Sequence, residues 1–221
     1  MRLAVIDASP VGGGPVSHAL SYAAAEAGDG DVVRVRTFDL FVRVCSSCSA
    51  CTRSGRCSRH HPALDAAIAE LADADALLVG CAGHFRAHDP RSHALLERLV
   101  GAFGHVETAR GLDGVRSQAG ARKRAALVFG APPLMGVPAI LGIMPSGATK
   151  VWRTLERANT AIVGCETVGS RWAGPTSRDR ATESARRLGR ALAAPANTRG
   201  AGRTVDARRV AAALVTTTSG L

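Results

Sequence analysis

Short apolar runs take turns with stretches of 3.6-residue periodicity along this chain, and that alternation leaves few folds open to it. The runs are Leu3–Ala8, Val32–Arg36, Ala76–Gly80, Ala125–Gly130 and Ala161–Val168. Between and after them, apolar residues recur at helical spacing in five sets: Val16, Leu20, Ala23, Ala24 and Ala27; Leu64, Ala67, Ile68 and Leu71; Leu95, Leu96, Leu99, Val100 and Phe103; Ala148, Val151, Trp152 and Leu155; Ala181, Ala185, Leu188 and Leu192. Start signals support them: Pro62 suits a first helical turn, Asp89 before Pro90 suits an N-cap, and Thr176 with Asp179 resembles a capping box. Strands that alternate with helices pair in parallel through right-handed crossovers, which place helices on both sides of the sheet. The expected fold class is therefore α/β, a doubly wound five-stranded parallel sheet with helices on both faces.

At 221 residues the chain suits one domain with a core large enough to need no disulfides. That domain is expected over residues 1–194, followed from Pro195 by a basic tail rich in Ala, Thr and Gly over 195–221, where Val205–Val215 forms at most one weak helix. Basic residues outnumber acidic ones 28 to 18, for a formal charge of +10, yet they are dispersed and no block holds five like charges in a row. With five Phe, two Trp and one Tyr, stacking platforms are scarce, which argues against direct nucleic-acid binding. The apolar run after Met1 meets Asp7 too soon for a signal peptide, and the uncharged stretch from Ala125 to Thr149 is broken by Pro132, Pro133, Pro138 and Pro145. A cytoplasmic chain without a membrane span is expected.

Two segments carry chemistry. In a doubly wound sheet the first strand-to-helix turn aims backbone N–H groups and a helix N-terminus at an anion, and Ser9–Ser17, with Gly12, Gly13 and Gly14, occupies that position. The turn matches neither the triphosphate-binding pattern G-x-x-x-x-G-K-[ST] nor the dinucleotide pattern G-x-G-x-x-G, so a mononucleotide site is expected, with a merely pliable connection as the alternative. The second segment is C-x2-C-x2-C-x5-C at Cys45, Cys48, Cys51 and Cys57. Four converging thiolates suit a four-iron four-sulfur cluster, for which three close ligands and a fourth nearby are typical; zinc and uncomplexed thiols are the alternatives. Arg53, Arg56 and Arg59 would offset the charge of such a centre. Cys81 and Cys165 fall in or beside strands and read as core residues.

Strand, Ser9-Pro10, glycine turn, helix, alternating strand and a Cys-rich loop with Gly55 before its last Cys together resemble the NADPH-dependent FMN reductases and iron–sulfur flavoproteins of flavodoxin-like fold. The family's turn, approximately S-P-R-x-x-G-N-[TS], matches at Ser9, Pro10 and Gly14; Val11, Pro15 and Val16 stand where it has Arg, Asn and Thr/Ser. The resemblance implies FMN, with its phosphate held by Ser9, Gly13, Gly14 and Ser17. It implies that Gly83, His84 and Phe85, after the third strand, and the loop beginning at Gly130 and Ala131 frame the flavin ring. It further implies NAD(P)H as hydride donor, an onward electron acceptor, the iron–sulfur cluster on the four cysteines, and a homodimer. A relative that has lost the flavin and serves as a metal-binding or interaction module is the alternative.

Overall fold

In a computed structural model the described residues are 1–10, 12–40, 42–46, 48–50, 57–59, 61–84, 87–103, 123–131, 146–169 and 175–194. The strands are β1 (Leu3–Ala8), β2 (Val32–Arg36), β3 (Ala76–His84), β4 (Ala87–His88), β5 (Lys123–Ala131) and β6 (Thr160–Gly169). The helices are α1 (Pro15–Glu26), α2 (Pro62–Asp73), α3 (Pro90–Phe103), α4 (Ser146–Arg157) and α5 (Pro175–Ala193), and one 3₁₀ turn, Thr37–Asp39, follows β2. Five strands run parallel in the order β2-β1-β3-β5-β6, while β4 folds back antiparallel on the end of β3. This is the expected α/β architecture, a flavodoxin-like five-stranded doubly wound sheet. The expected tail, residues 195–221, lies outside the described residues.

Period-2 alternation explains how one sheet feeds two cores. From β1, Ala4, Ile6 and Ala8 face one cluster with Leu64 and Leu71 of α2, Leu95, Leu96 and Leu99 of α3, and Val151, Trp152 and Leu155 of α4. Leu3 and Val5 face the other, with Val16, Leu20 and Ala23 of α1 and Ala185, Leu188 and Leu192 of α5. Strands β3 and β5 divide their residues in the same way, as strands covered on both faces must. The register of β5 with β6 slips between Ala125 and Ala126, and this bulge lets Ile162 and Cys165, three residues apart, share one core.

The helix starts follow the signals read from the sequence where their side chains are described. Pro62 sits in the first turn of α2, and Pro15, not read as a start signal, does the same in α1. Asp89 caps α3: its Oδ2 accepts the Ser92 N–H at 3.0 Å. The side chains of Thr176 and its neighbours lie outside the described residues. Strand β3 runs to His84, four residues past the expected Gly80, because Cys81 and Ala82 still find partners in Phe129 and Gly130 of β5, and β4 then takes up Gly83 and His84. Gly83 and His84 are thus strand residues, not residues of a loop. No helix among the described residues is long and apolar enough to cross a membrane.

Candidate functional site

The strand order reverses between β1 and β3, and a sheet of this topology leaves a crevice beyond the carboxyl ends at such a point. Register fixes what meets there. Asp7 lies beside Gly80 of β3 on one side and Arg36 of β2 on the other, and Ala82 of β3 lies beside Gly130 of β5. Three segments expected from the sequence to form one site, the turn after β1, the end of β3 and the end of β5, therefore emerge side by side.

The first turn is held from below. Gly13 has φ 75, a left-handed conformation that glycine adopts without penalty, and a Cβ there would project into open space. Gly14 is the N-cap of α1, without a side-chain cap bond, and the first turn of α1 has no acid. Ser9 is buried, Gly13 exposed, and Gly14 and Ser17 intermediate. Val16, where the resembling family has a hydroxyl, is buried at 4% exposure. A Cβ on Gly80 would lie 2.5 Å from Leu20 Cδ1 and 2.7 Å from Val16 Cγ1, and one on Gly130 would lie 2.8 Å from Val16 Cγ2. Val16 therefore wedges the start of α1 between β3 and β5, and its place in the turn is one of packing.

Two charged residues of this end were not singled out from the sequence. The half-buried Asp7 accepts the Ser9 N–H at Oδ1 (2.9 Å) and the Ser17 hydroxyl at Oδ2 (2.7 Å). Arg36 reaches the turn from β2: a Cβ on Gly12 would be 3.2 Å from its Nη2, and its Nη1 lies 3.7 Å from Asp39 Oδ1. Neither carried a signal of its own, since an acid closing an apolar run and one Arg of an alternating strand are ordinary until β1 pairs with β2. Below them, Cys81 is buried in the core and its thiol is pushed up to about 12, by desolvation first and then by Asp89 and Asp7. Cys165 is likewise pushed up to about 12 by burial, so both are packing residues.

Of the remaining expected ring contacts, Gly83 is half-buried, His84 and Ala131 are described only as strand termini, and Phe85 lies outside the described residues. The cysteine segment is described in part. Cys45 and Cys48 are exposed, Cys57 is half-buried, and Cys51 lies outside the described residues. Cys48 Sγ is 3.0 Å from Ser58 Oγ, and Cys57 Sγ accepts the Arg59 N–H at 3.3 Å. The hydrogen bond with Ser58, helped by the Ala50 backbone and the Ser46 hydroxyl, brings the Cys48 thiol down to about 7. Behind the segment, the buried Arg98 of α3 donates from Nη2 to the Arg43 carbonyl at 3.2 Å. Among the described residues no group of three or more His, Cys, Asp or Glu is placed to hold a metal ion.

The chain matches no protein-family model and no curated protein. Solved structures do resemble it. An NAD(P)H:quinone oxidoreductase from Methanothermobacter marburgensis superposes with a TM-score of 0.61 at 13% identity, over 86% of this chain and 98% of that one. A flavone reductase gives 0.60 at 12% identity over 87% of this chain, which spans 62% of the flavone reductase's length. An NADH:FMN oxidoreductase in its apo form gives 0.57 at 15% identity, over 90% of this chain and 93% of that one. At these identities the likeness establishes the flavodoxin-like fold.

Proposed function

We propose that the protein is a flavin-dependent oxidoreductase that binds FMN across the ends of β1, β3 and β5 and takes its reducing equivalents from NAD(P)H. The observation that carries this reading is the register that sets Ala8, just before the glycine turn, beside Cys81 and sets Ala82 beside Gly130, so that the turn and the ends of β3 and β5 meet at the reversal of strand order. The similar structures, an NADH:FMN and an NAD(P)H:quinone oxidoreductase among them, support it. The residues present suit the cofactor: α1 begins with no side-chain cap and no first-turn acid, and the open space over Gly13 leaves room for a phosphate group. Ser9, Gly13, Gly14 and Ser17 would hold that phosphate, with Arg36 beside Gly12 as a cation at the turn. Gly83, His84, Phe85, Gly130 and Ala131 would border the ring.

When bound, FMN would supply a ring that accepts a hydride and passes electrons on, so no catalytic acid or base of the chain is required. The protein's part is positional. The Val16 wedge fixes the turn relative to β3 and β5, and the side chains around the crevice set its charge. Titration of FMN fluorescence, followed by NAD(P)H oxidation with excess FMN, tests the reading. Saturable quenching at about one FMN per chain and flavin-dependent oxidation are expected; an absence of quenching would remove the reading. The same reading makes residues 1–194 the working domain, and a chain ending at Ala194 is expected to bind FMN as the full chain does.

Cys45, Cys48, Cys51 and Cys57 are proposed as ligands of one iron–sulfur centre, an assignment that rests on their spacing. One contact favours it: Cys48 meets Ser58, the residue after Cys57, which brings the second cysteine of the motif to the segment carrying the fourth. Thiolate donors suit iron, and the assignment implies only binding. Iron, sulfide and zinc analysis of anaerobically prepared protein tests it, with loss of the metal on any single Cys→Ser change in the set as the expected result.

A further inference from the structure

The donors proposed for phosphate are partly spoken for. Asp7 Oδ1 takes the Ser9 N–H and Oδ2 takes the Ser17 hydroxyl, so one carboxylate engages both serines of the turn. It does so at the amino end of α1, where the helix dipole favours a single negative charge and a fixed carboxylate already supplies it. Arg36 beside Gly12 is an opposing charge at this turn, and it is shared with Asp39. A phosphate entering the turn must draw Ser17 away from Asp7 and then sit close to that carboxylate. From this we propose that Asp7 is an affinity-setting residue, an internal competitor that weakens the hold of the turn on a phosphate-bearing flavin and so keeps FMN exchangeable.

The inference rests on the flavin reading above and adds to it a definite consequence: the flavin comes and goes as a substrate does. The ring of riboflavin is that of FMN, but riboflavin carries no phosphate, so it reports the ring contacts alone. Asp7→Asn keeps the size and one acceptor for the Ser9 N–H while removing the charge; Asp7→Ser removes the charge and still offers an oxygen to that N–H.

Dissociation constants for FMN and riboflavin, measured by fluorescence for the wild type and both variants, give the test. In Asp7→Asn the FMN constant is expected to fall about tenfold, the size of one partly screened charge contact, while the riboflavin constant holds within about twofold. FMN dissociation in stopped flow is expected to slow in proportion. An unchanged or weakened FMN affinity in both variants, with riboflavin still binding, would overturn the role of Asp7 and leave the flavin reading standing. An equal change for the two flavins would overturn it as well, because it would place the effect on the ring. Failure of both flavins to bind all three proteins would instead remove the flavin reading, and this inference with it.

Discussion

The two ends of the sheet are built from opposite materials. At the amino end, Arg2 from the start of β1 reaches three acids: Asp31 at 3.1 Å, Glu70, and Asp73 at 3.8 Å. Its backbone N–H goes to Asp75 at 2.7 Å. Close by, Lys123 caps the Ala72 and Ala74 carbonyls at the end of α2, and Arg124 caps the Leu192 and Ala191 carbonyls at the end of α5. Long side chains satisfy helix ends there and close the surface. At the carboxyl end, glycines form the turn, Asp7 engages Ser17 in the first turn of α1, and Arg36 lies beside Gly12, so no long side chain caps a helix end there among the described residues. Strand direction alone does not make one end a site; the placement of the side chains that could fill it does.

The largest expected effect lies under the open end. Gly80→Val would drive Cβ into Val16 and Leu20 and lift α1 from the sheet, and about 3 kcal/mol of stability should be lost in urea unfolding. A loss below about 1 kcal/mol would show that the wedge is soft. Next comes the closed end. Arg2→Ala leaves Asp31, Glu70 and Asp73 facing one another, yet Arg2 is partly exposed, so about 1 kcal/mol is expected, shrinking in high salt.

A smaller effect of opposite sign is expected on β6. Burial raises the Glu166 carboxyl above its ordinary value, an effect only partly offset by Arg187 and by hydrogen bonding with Ser184. The folded state then holds that proton more tightly than the unfolded one, so stability falls as pH rises from the ordinary carboxylate value through the raised one. Glu166→Gln should therefore stabilise the protein at pH 7 by up to about 1 kcal/mol and lose that advantage near pH 3. Equal melting shifts at the two pH values would refute the assignment. Smallest of all, Cys48→Ser in metal-free protein should leave the melting temperature unchanged, because the side chain is exposed.

What the sequence disclosed follows from the range of the physics involved. Strands β1 and β2 and the starts of α1, α2 and α3 were legible because apolar period, proline and Asp89 act within a few residues. The carboxyl end of β3 was not, since pairing of Cys81 and Ala82 with Phe129 and Gly130 depends on a strand more than forty residues away. The site divides along the same line. Ser9–Ser17 was marked by its glycines, and Gly83 and Gly130 were named only through the resemblance. Asp7 read as the acid that ended an apolar run, and Arg36 as one tooth of an alternating strand. Their importance arises only when parallel pairing sets the two side by side. Val16 shows the converse: the motif marked it as a missing hydroxyl, whereas Gly80 and Gly130 make it a wedge.

That wedge also sets the thermodynamic character of whatever the turn receives. A loop whose far end is pinned into the core by Val16 has little freedom left to surrender, so a ligand that fits it loses almost nothing to ordering the protein. A ligand that fits poorly gains nothing from adjustment. Selection at this end of the molecule is therefore written into the interior, and a methyl group added beneath the sheet surface could alter recognition without touching the guest.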